Sequence, residues 1–238
     1  MNYVLTIIIP VYNEEDNLKR LESELLEFKA SSQITSKVLF VDDGSTDNSL
    51  EKIEAICNKY SDFGFLAFSE NKGLSSALKA GFDYCDTEYL GYIDADLQTS
   101  PKDFDLLFEY IGDYDLVTGV RVNRNDSYLK KVSSKIANFI RRRFTHDQMD
   151  DTGCPLKIIK TDYAKRIPMF RGLHRFLPAM VLLQNGNVKQ IPVQHFSRQA
   201  GRSKFGMTNR LFGPLLDCFA YLWMKKKYIN YTIHKKQV

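Results

Sequence analysis

The chain has 238 residues, 44% hydrophobic and 26% charged, which is an ordinary globular composition and is long enough for one large domain, or one domain with a tail. The opening MNYVLTIIIPVYNEE puts no basic segment ahead of its apolar run, so no secretory leader is expected, and LFGPLLDCFAYLWM is shorter than the ~20 residues of a spanning helix and is interrupted by Asp217. Cys57, Cys85, Cys154 and Cys218 are scattered with no CxxC pair, which favours reduced thiols in a cytosolic protein over a zinc site.

The formal charge of +4 conceals an asymmetry. Residues 1–120 carry 9 Lys and Arg against 23 Asp and Glu, a net of −14, while residues 121–238 carry 24 against 6, a net of +18, with no Glu. A solvated basic face is one reading of the second half. An anionic partner is the favoured one: phosphate groups, an acidic membrane surface, or both. Nucleic acid is not expected, because no zinc-finger, helix-turn-helix or RNA-binding motif is visible.

VLTIIIPVY is a continuous β-branched run, the mark of a strand buried on both faces. NEEDNLKRLESELLEFK follows as a helix, with Asn13 as N-cap, acids in the first turn and Leu18, Leu21, Leu25 and Phe28 as its apolar stripe. Strand KVLFVDD, turn GSTDN, helix SLEKIEAICNKY, strand FGFLAFS, turn ENKG and helix LSSALKAGFDYC come next. Then come strand YLGYIDAD, helix PKDFDLLFEYI and strand YDLVTGVR. Strand and helix alternating at ~25-residue intervals imply right-handed βαβ units and a parallel sheet covered by helices. Past Arg124, SYLKKVSSKIANFIRRR reads as a basic helix over 127–143, DDTGCPLKIIK as a loop and short strand, and VKQIPVQHFSRQ as a strand. LFGPLLDCFAYLWMKKK, over 211–227, is an apolar stretch closed by three lysines, either a membrane-surface helix or a core or dimer-packing one.

Ligands on open parallel sheets bind outside the carboxyl ends of the strands, and PVYNEE, VDDGSTD and DADLQ all fall at such ends. If YLGYIDAD is a strand to its end, Asp94 and Asp96 point the same way, with Ala95 turned away. Two like charges that close repel unless a cation sits between them, and hard oxygen ligands suit Mg2+ or Mn2+ bridging a diphosphate. A capping acid beside a solvated one is the plainer alternative. GSTD reads equally as a phosphate-binding turn or a plain turn with a capping box. The small residues of NKGLSSALKAGF are explained by close helix–sheet packing without a ligand. HFSRQAGRSKFG gathers Arg198, Arg202 and Lys204 around a glycine and a serine, either a cationic lid over a diphosphate or a solvated loop. Arg121 and Arg124 end a strand on the same side of the sheet. Asp150 and Asp151 read as ion-pair partners of nearby cations more readily than as a general base. His174 and His195 have no ligand partner at metal spacing and read as structural.

Taken together, IPVYNEEDNL, VDDGSTDNS, NKGLSSALKAGF, YIDADLQTSP, GVRVNR, DTGCPLKIIK, HRFLPAM and HFSRQAGRSKFG resemble the family 2 glycosyltransferases of GT-A fold. The resemblance is strongest to the dolichyl- and polyprenyl-phosphate sugar transferases. It implies an α/β, nucleotide-diphospho-sugar transferase fold, with a mostly parallel central sheet flanked by helices. A catalytic domain would span 1–210 (nucleotide half 1–120, acceptor half 121–210), and 211–238 would be an amphipathic basic tail. Pro10, Tyr12, Glu14, Asp42 and Asp43 would hold base and ribose. Asp94, Asp96 and Gln98 would hold Mg2+ or Mn2+, with Asp94 and Ala95 also facing the nucleotide sugar. Arg198, Ser203 and Lys204 would clasp the diphosphate. Arg121, Lys130, Lys131 and Ser134 would receive the acceptor phosphate. Asp96 and Asp151 would be catalytic, although a phosphate acceptor already ionised at neutral pH leaves Asp151 more to orient than to deprotonate. The activity implied is inverting transfer of one sugar from a nucleoside diphosphate to a polyprenyl phosphate, by a protein peripheral to the cytoplasmic membrane face, with a homo-oligomer left open. A soluble or glycan acceptor, and a non-catalytic protein binding nucleotide sugars or membranes, are the alternatives. The family's usual Phe-Arg gives way here to Pro155-Leu156-Lys157. The processive-synthase QxxRW motif is missing, and so are the membrane helices that follow the catalytic domain in many relatives.

Overall fold

The computed structural model describes residues 2–122, 138–139, 141–197, 212–230 and 235. Its strands β1 (Leu5–Val11), β2 (Ser36–Asp42), β3 (Phe63–Ala67), β4 (Tyr89–Tyr92), β5 (Leu116–Arg121), β6 (Lys157–Lys160) and β7 (Val188–Val193) form one seven-stranded sheet, ordered β3-β2-β1-β4-β6-β5-β7. All neighbours run parallel except β6, which is antiparallel to both β4 and β5. The carboxyl ends of β1, β2, β4, β5 and β7 therefore share one edge with the amino end of β6.

Helices α1 (Glu15–Ser31), α2 (Ser49–Lys59), α3 (Leu74–Tyr84) and α4 (Asp103–Phe108) follow the first four strands in turn. The alternation of side chains along β1 sends Ile7 and Ile9 to one face and Ile8 to the other. One core layer joins Ile7 and Ile9 to Leu18, Leu21, Leu25, Phe28, Phe104 and Leu107. The other joins Ile8 to Leu78, Phe82, Phe176, Met180 and Tyr221. The small residues of α3 do what close packing requires: a Cβ on Gly81 would lie 2.6 Å from Ile8 Cγ2.

Three local expectations are corrected. β4 stops at Tyr92, where its pairing with β1 and β6 ends, so Asp94 and Asp96 lie in the following turn and not on a strand. Asn13 does not cap α1. It adopts φ +49, and Glu14 takes the cap position. Helix α4 covers Asp103–Phe108, not the whole of 101–111.

Beyond β6 the chain forms α5 (Thr161–Lys165), a 3-10 turn (Leu173–Phe176), α6 (Leu177–Leu183) and, after β7, α7 (Phe212–Lys227). One face of α7 packs in the core, with Cys218 and Tyr221 buried and Tyr221 stacked on Phe176 at 5.6 Å. The other face is open: Leu216 and Trp223 are each 68% exposed and Phe219 54%. Among the described residues no helix is long and apolar enough to cross a membrane.

Candidate active site

Three loops at the carboxyl edge are stitched to one another by their own side chains. Asn13 donates its N–H to Ser45 Oγ (2.9 Å) and accepts from the Thr46 N–H at its Oδ1 (2.7 Å). The Glu14 N–H reaches Ser49 Oγ (2.9 Å), and the Glu15 N–H reaches Asp47 Oδ2 (3.3 Å). Ser45, Asp47 and Ser49 of GSTDNS thus accept from the loop after β1 while Thr46 and Asn48 donate to it, which favours the plain-turn reading. Gly44 is held at φ +68, and a Cβ there would sit 2.4 Å from the Glu70 carbonyl carbon. Only glycine allows this loop to meet the one after β3.

The neighbouring aspartates at the end of β2 behave differently. Asp43 accepts from Asn71 Nδ2 (2.9 Å), the Lys72 N–H (2.7 Å) and the Gly73 N–H (2.9 Å), so its carboxylate fixes the entry to α3. Burial pushes its carboxyl above the ordinary range, against those donors. Asp42 is buried and spends only Oδ2, on the Ser45 N–H (3.1 Å). Its Oδ1 is buried with no hydrogen-bond partner among the described residues, which leaves an acceptor in want of a donor.

In the turn after β4, Tyr92 donates its hydroxyl to Asp94 Oδ1 (2.7 Å), and Asp96 Oδ1 accepts from the Gln98 N–H (3.2 Å). Leu97 holds the turn at φ +51. The Asp94 carboxyl is pushed up to about 6 by burial and by the charge of Asp96, with the Tyr92 hydrogen bond and the Lys157 and Arg121 charges opposing. That closeness and the hard oxygen donors fit a divalent cation. Among the described residues no three His, Cys, Asp or Glu side chains gather into a complete cage. Gln98 turns its main-chain carbonyl to the exit of β7, accepting from the Phe196 N–H (2.9 Å) and pairing with His195 Nδ1 (3.2 Å).

Arg121, the last residue of β5, forks onto Asp151 with Nε to Oδ2 at 2.7 Å and Nη2 to Oδ1 at 2.9 Å, and its own N–H reaches Oδ2 at 3.3 Å. The Asp151 hydrogen bonds and charge hold the guanidinium above its ordinary range, although burial pulls it down. Asp150 pairs with Arg142 at 2.8 Å, so both adjacent acids are ion-paired. His174 Nδ1 meets Ser75 Oγ at 2.8 Å.

The fold therefore brings Tyr12, Glu14, Asp42, Asp43, Asp94, Asp96, Gln98, Arg121 and Asp151 to one edge of the sheet. Pro10 lies within β1 and Ala95 is buried in the core beneath the turn. Lys130, Lys131, Ser134, Arg198, Ser203 and Lys204, with Arg124 and Arg202, fall outside the described residues. Two further side chains escaped sequence reasoning. Lys157 is 1% exposed, donates to the carbonyls of Thr152 (3.3 Å) and Cys154, and stands over the Tyr92 ring at 5.8 Å. A lysine opening the apolar strand KIIK was the available signal for it; Tyr92, one more aromatic in a buried strand, gave none.

A mostly parallel sheet with acidic loops at its carboxyl edge and a largely buried arginine–carboxylate fork beside them is an α/β arrangement that the glycosyltransferases share. The chain belongs to Glycosyl transferase family 2, whose pattern matches residues 6–167. It is 29% identical over 228 residues to the dodecaprenyl-phosphate galacturonate synthase of Rhizobium johnstonii, covering 93% of this chain and 67% of that one. It is 31% identical over 218 residues to the undecaprenyl-phosphate 4-deoxy-4-formamido-L-arabinose transferase of Edwardsiella ictaluri, covering 90% and 67%. The chain thus spans about two thirds of the length of these curated relatives. Its fold, GT-A, is that of the glucosyl-3-phosphoglycerate synthase of Mycobacterium tuberculosis solved with Mn2+, UDP and glucosyl-3-phosphoglycerate (TM-score 0.72, 13% identity, 96% of this chain and 81% of that one). A mannosyltransferase of Pyrobaculum calidifontis solved with GDP-Man and Mn2+ is also similar (TM-score 0.67, 16% identity, 93% and 64%).

Proposed function

We propose that this glycosyltransferase moves a single sugar, with inversion, from a nucleoside diphosphate to a polyprenyl phosphate. The observation that supports this most is that the two curated relatives named above, matched over nine tenths of the chain, are named for a polyprenyl-phosphate product or acceptor. The donor lies along the loops after β1, β2 and β4. Asp42 Oδ1 accepts from the nucleotide base, with Pro10, Tyr12 and Glu14 lining the base and ribose, while Asp43 keeps the loop before α3 in place. Asp94 and Asp96, with Gln98 beside them, hold a divalent cation of the Mg2+ or Mn2+ class. Such an ion, when bound, supplies neutralisation of the departing diphosphate. The resemblance adds Arg198, Ser203 and Lys204 around that diphosphate.

Arg121 receives the acceptor phosphate, with Lys130, Lys131 and Ser134 assigned by the same resemblance. A phosphate monoester has its second pKa near 6, so the attacking oxygen arrives ionised and no proton needs removing. Asp151 then serves the reaction by aiming Arg121, and Arg121 orients the acceptor for in-line attack. The open face of α7 (Leu216, Phe219, Trp223), followed by Lys225, Lys226 and Lys227, meets the anionic cytoplasmic leaflet, where each basic residue near the surface contributes about 1 kcal/mol.

The test is a transfer assay with a short polyprenyl phosphate and a donor panel: GDP-mannose, UDP-glucose, UDP-N-acetylglucosamine and nucleoside-diphosphate galacturonate. Product on the lipid from one donor is expected. Transfer to a soluble or glycan acceptor, with none to the lipid phosphate, refutes the reading.

A further inference from the structure

Lys157 is the one fully buried cation at the junction of donor and acceptor elements among the described residues, and the mechanism above does not use it. It opens β6 and is the cross-strand partner of Tyr92 on β4 and of Thr118 on β5. Its ammonium has three N–H donors. Two go to the carbonyls of Thr152 and Cys154, in the loop that carries Asp151, and the group sits 5.8 Å from the centre of the Tyr92 ring. That ring's hydroxyl is the donor to Asp94. Lysine is almost never buried unless partners hold it there; burial pulls the Lys157 ammonium below its ordinary range, and against that stand Cys154, Asp151 and Asp94, with the Arg121 charge adding to the depression. Arg121 is the second cation acting on the Asp94 carboxylate.

Charge balance follows directly. Asp94, Asp96 and Asp151 bring three negative charges and Lys157 and Arg121 two positive ones. An acidic pair offset to this degree attracts a divalent ion weakly until a diphosphate adds its own oxygens and charge. Magnesium-type sites are commonly completed in that way, by one or two carboxylates plus substrate phosphates.

We propose that Lys157 is the internal counter-cation of the acidic pair, which keeps divalent-cation affinity low in the free protein so that the ion is taken up together with the donor diphosphate. This rests on the reading that Asp94 and Asp96 hold such an ion. The experiment is Mn2+ binding to the full chain, followed by electron paramagnetic resonance of the free ion, alone and with UDP or GDP. The unsubstituted protein should bind Mn2+ weakly alone and at least about tenfold more tightly with one of the nucleotides. Lys157→Met should bind Mn2+ alone about tenfold more tightly than the unsubstituted protein, the scale of removing a nearby charge at intermediate dielectric, and should show less enhancement by nucleotide. Lys157→Arg, which keeps the charge, should match the unsubstituted protein. Thermal denaturation establishes that each variant is folded. Affinity for Mn2+ alone that is unchanged or weaker in Lys157→Met, or clearly tighter in Lys157→Arg, overturns the proposal while leaving the metal site standing. Failure of the unsubstituted protein to bind Mn2+ even with both nucleotides overturns the metal site and the proposal together.

Discussion

Replacing Asp151 separates a positioning carboxylate from a general base. Its side chain is 9% exposed and that of its partner Arg121 14%, so the pair is largely withdrawn from water. Asp151→Ala removes all three hydrogen bonds that Arg121 makes to it and strands a buried guanidinium, a loss of about 3–5 kcal/mol. At 2–4 °C per kcal/mol for a chain of this size, Tm should fall by roughly 10 °C. Asp151→Asn keeps the shape and one acceptor oxygen and should lose about half as much. Initial rates measured against polyprenyl phosphate concentration between pH 6 and 9 should show Asp151→Asn acting mainly on the acceptor KM. The drop in kcat should be about tenfold or less, below the 10²–10⁴ a general base contributes, and the pH profile should keep its shape. Asp96→Ala should lose more activity than Asp151→Ala. A thousandfold fall in kcat for Asp151→Asn at unchanged KM and Tm, with loss of a titration limb, would show that a base is required.

Gly44→Ala forces a side chain into φ +68 and against the Glu70 main chain, so it should cost about 2–3 kcal/mol and raise the donor KM by loosening the loop that Asp43 holds; denaturant titration and kinetics check both. His174 is held neutral by burial, then by the Arg175 and Lys157 charges, with its pKa pushed down to about 3 from 6.5. Its folded pKa lies below its unfolded one, so the stability it contributes is whole above pH 6.5 and is lost as pH falls from there toward 3. The slope is at most about 1.4 kcal/mol per pH unit, and His174→Gln should flatten it in denaturant titrations at pH 7, 6 and 5. Trp223→Glu, on the open face of α7, should abolish flotation with anionic vesicles without moving Tm; undiminished flotation would remove α7 from the membrane reading.

What the sequence disclosed depended on how local the cause was. The β-branched run of β1 and the leucine stripe of α1 are set by neighbours in sequence, and both elements formed as read. The strand carrying the acidic pair ended early because its end is decided elsewhere: β4 lasts only as long as Leu5–Ile8 on one side and Lys157–Lys160 on the other. The aspartates come together by a turn with Leu97 at positive φ, which no alternation of residues signals. Asn13 had the chemistry of a cap but its partners, Ser45 and Thr46, lie more than thirty residues away. Asp42 and Asp43 look interchangeable in VDDGSTD, yet one is consumed by the Asn71–Gly73 main chain and the other retains a buried unpartnered oxygen.

The reversed strand is what joins the acidic and basic halves of the chain chemically. Because β6 is antiparallel to both neighbours, it begins at the carboxyl edge, and the loop that feeds it, Asp151 to Leu156, arrives beside Asp94 and Arg121. A parallel strand in the same position would begin at the opposite edge and carry that loop away from the site. Arg121 would then face the acidic pair without Asp151, and Tyr92 would lose the buried ammonium across from it. The acidic loops after β1, β2 and β4 and the loop carrying Asp151 thus share one edge because a single four-residue strand runs against the sheet.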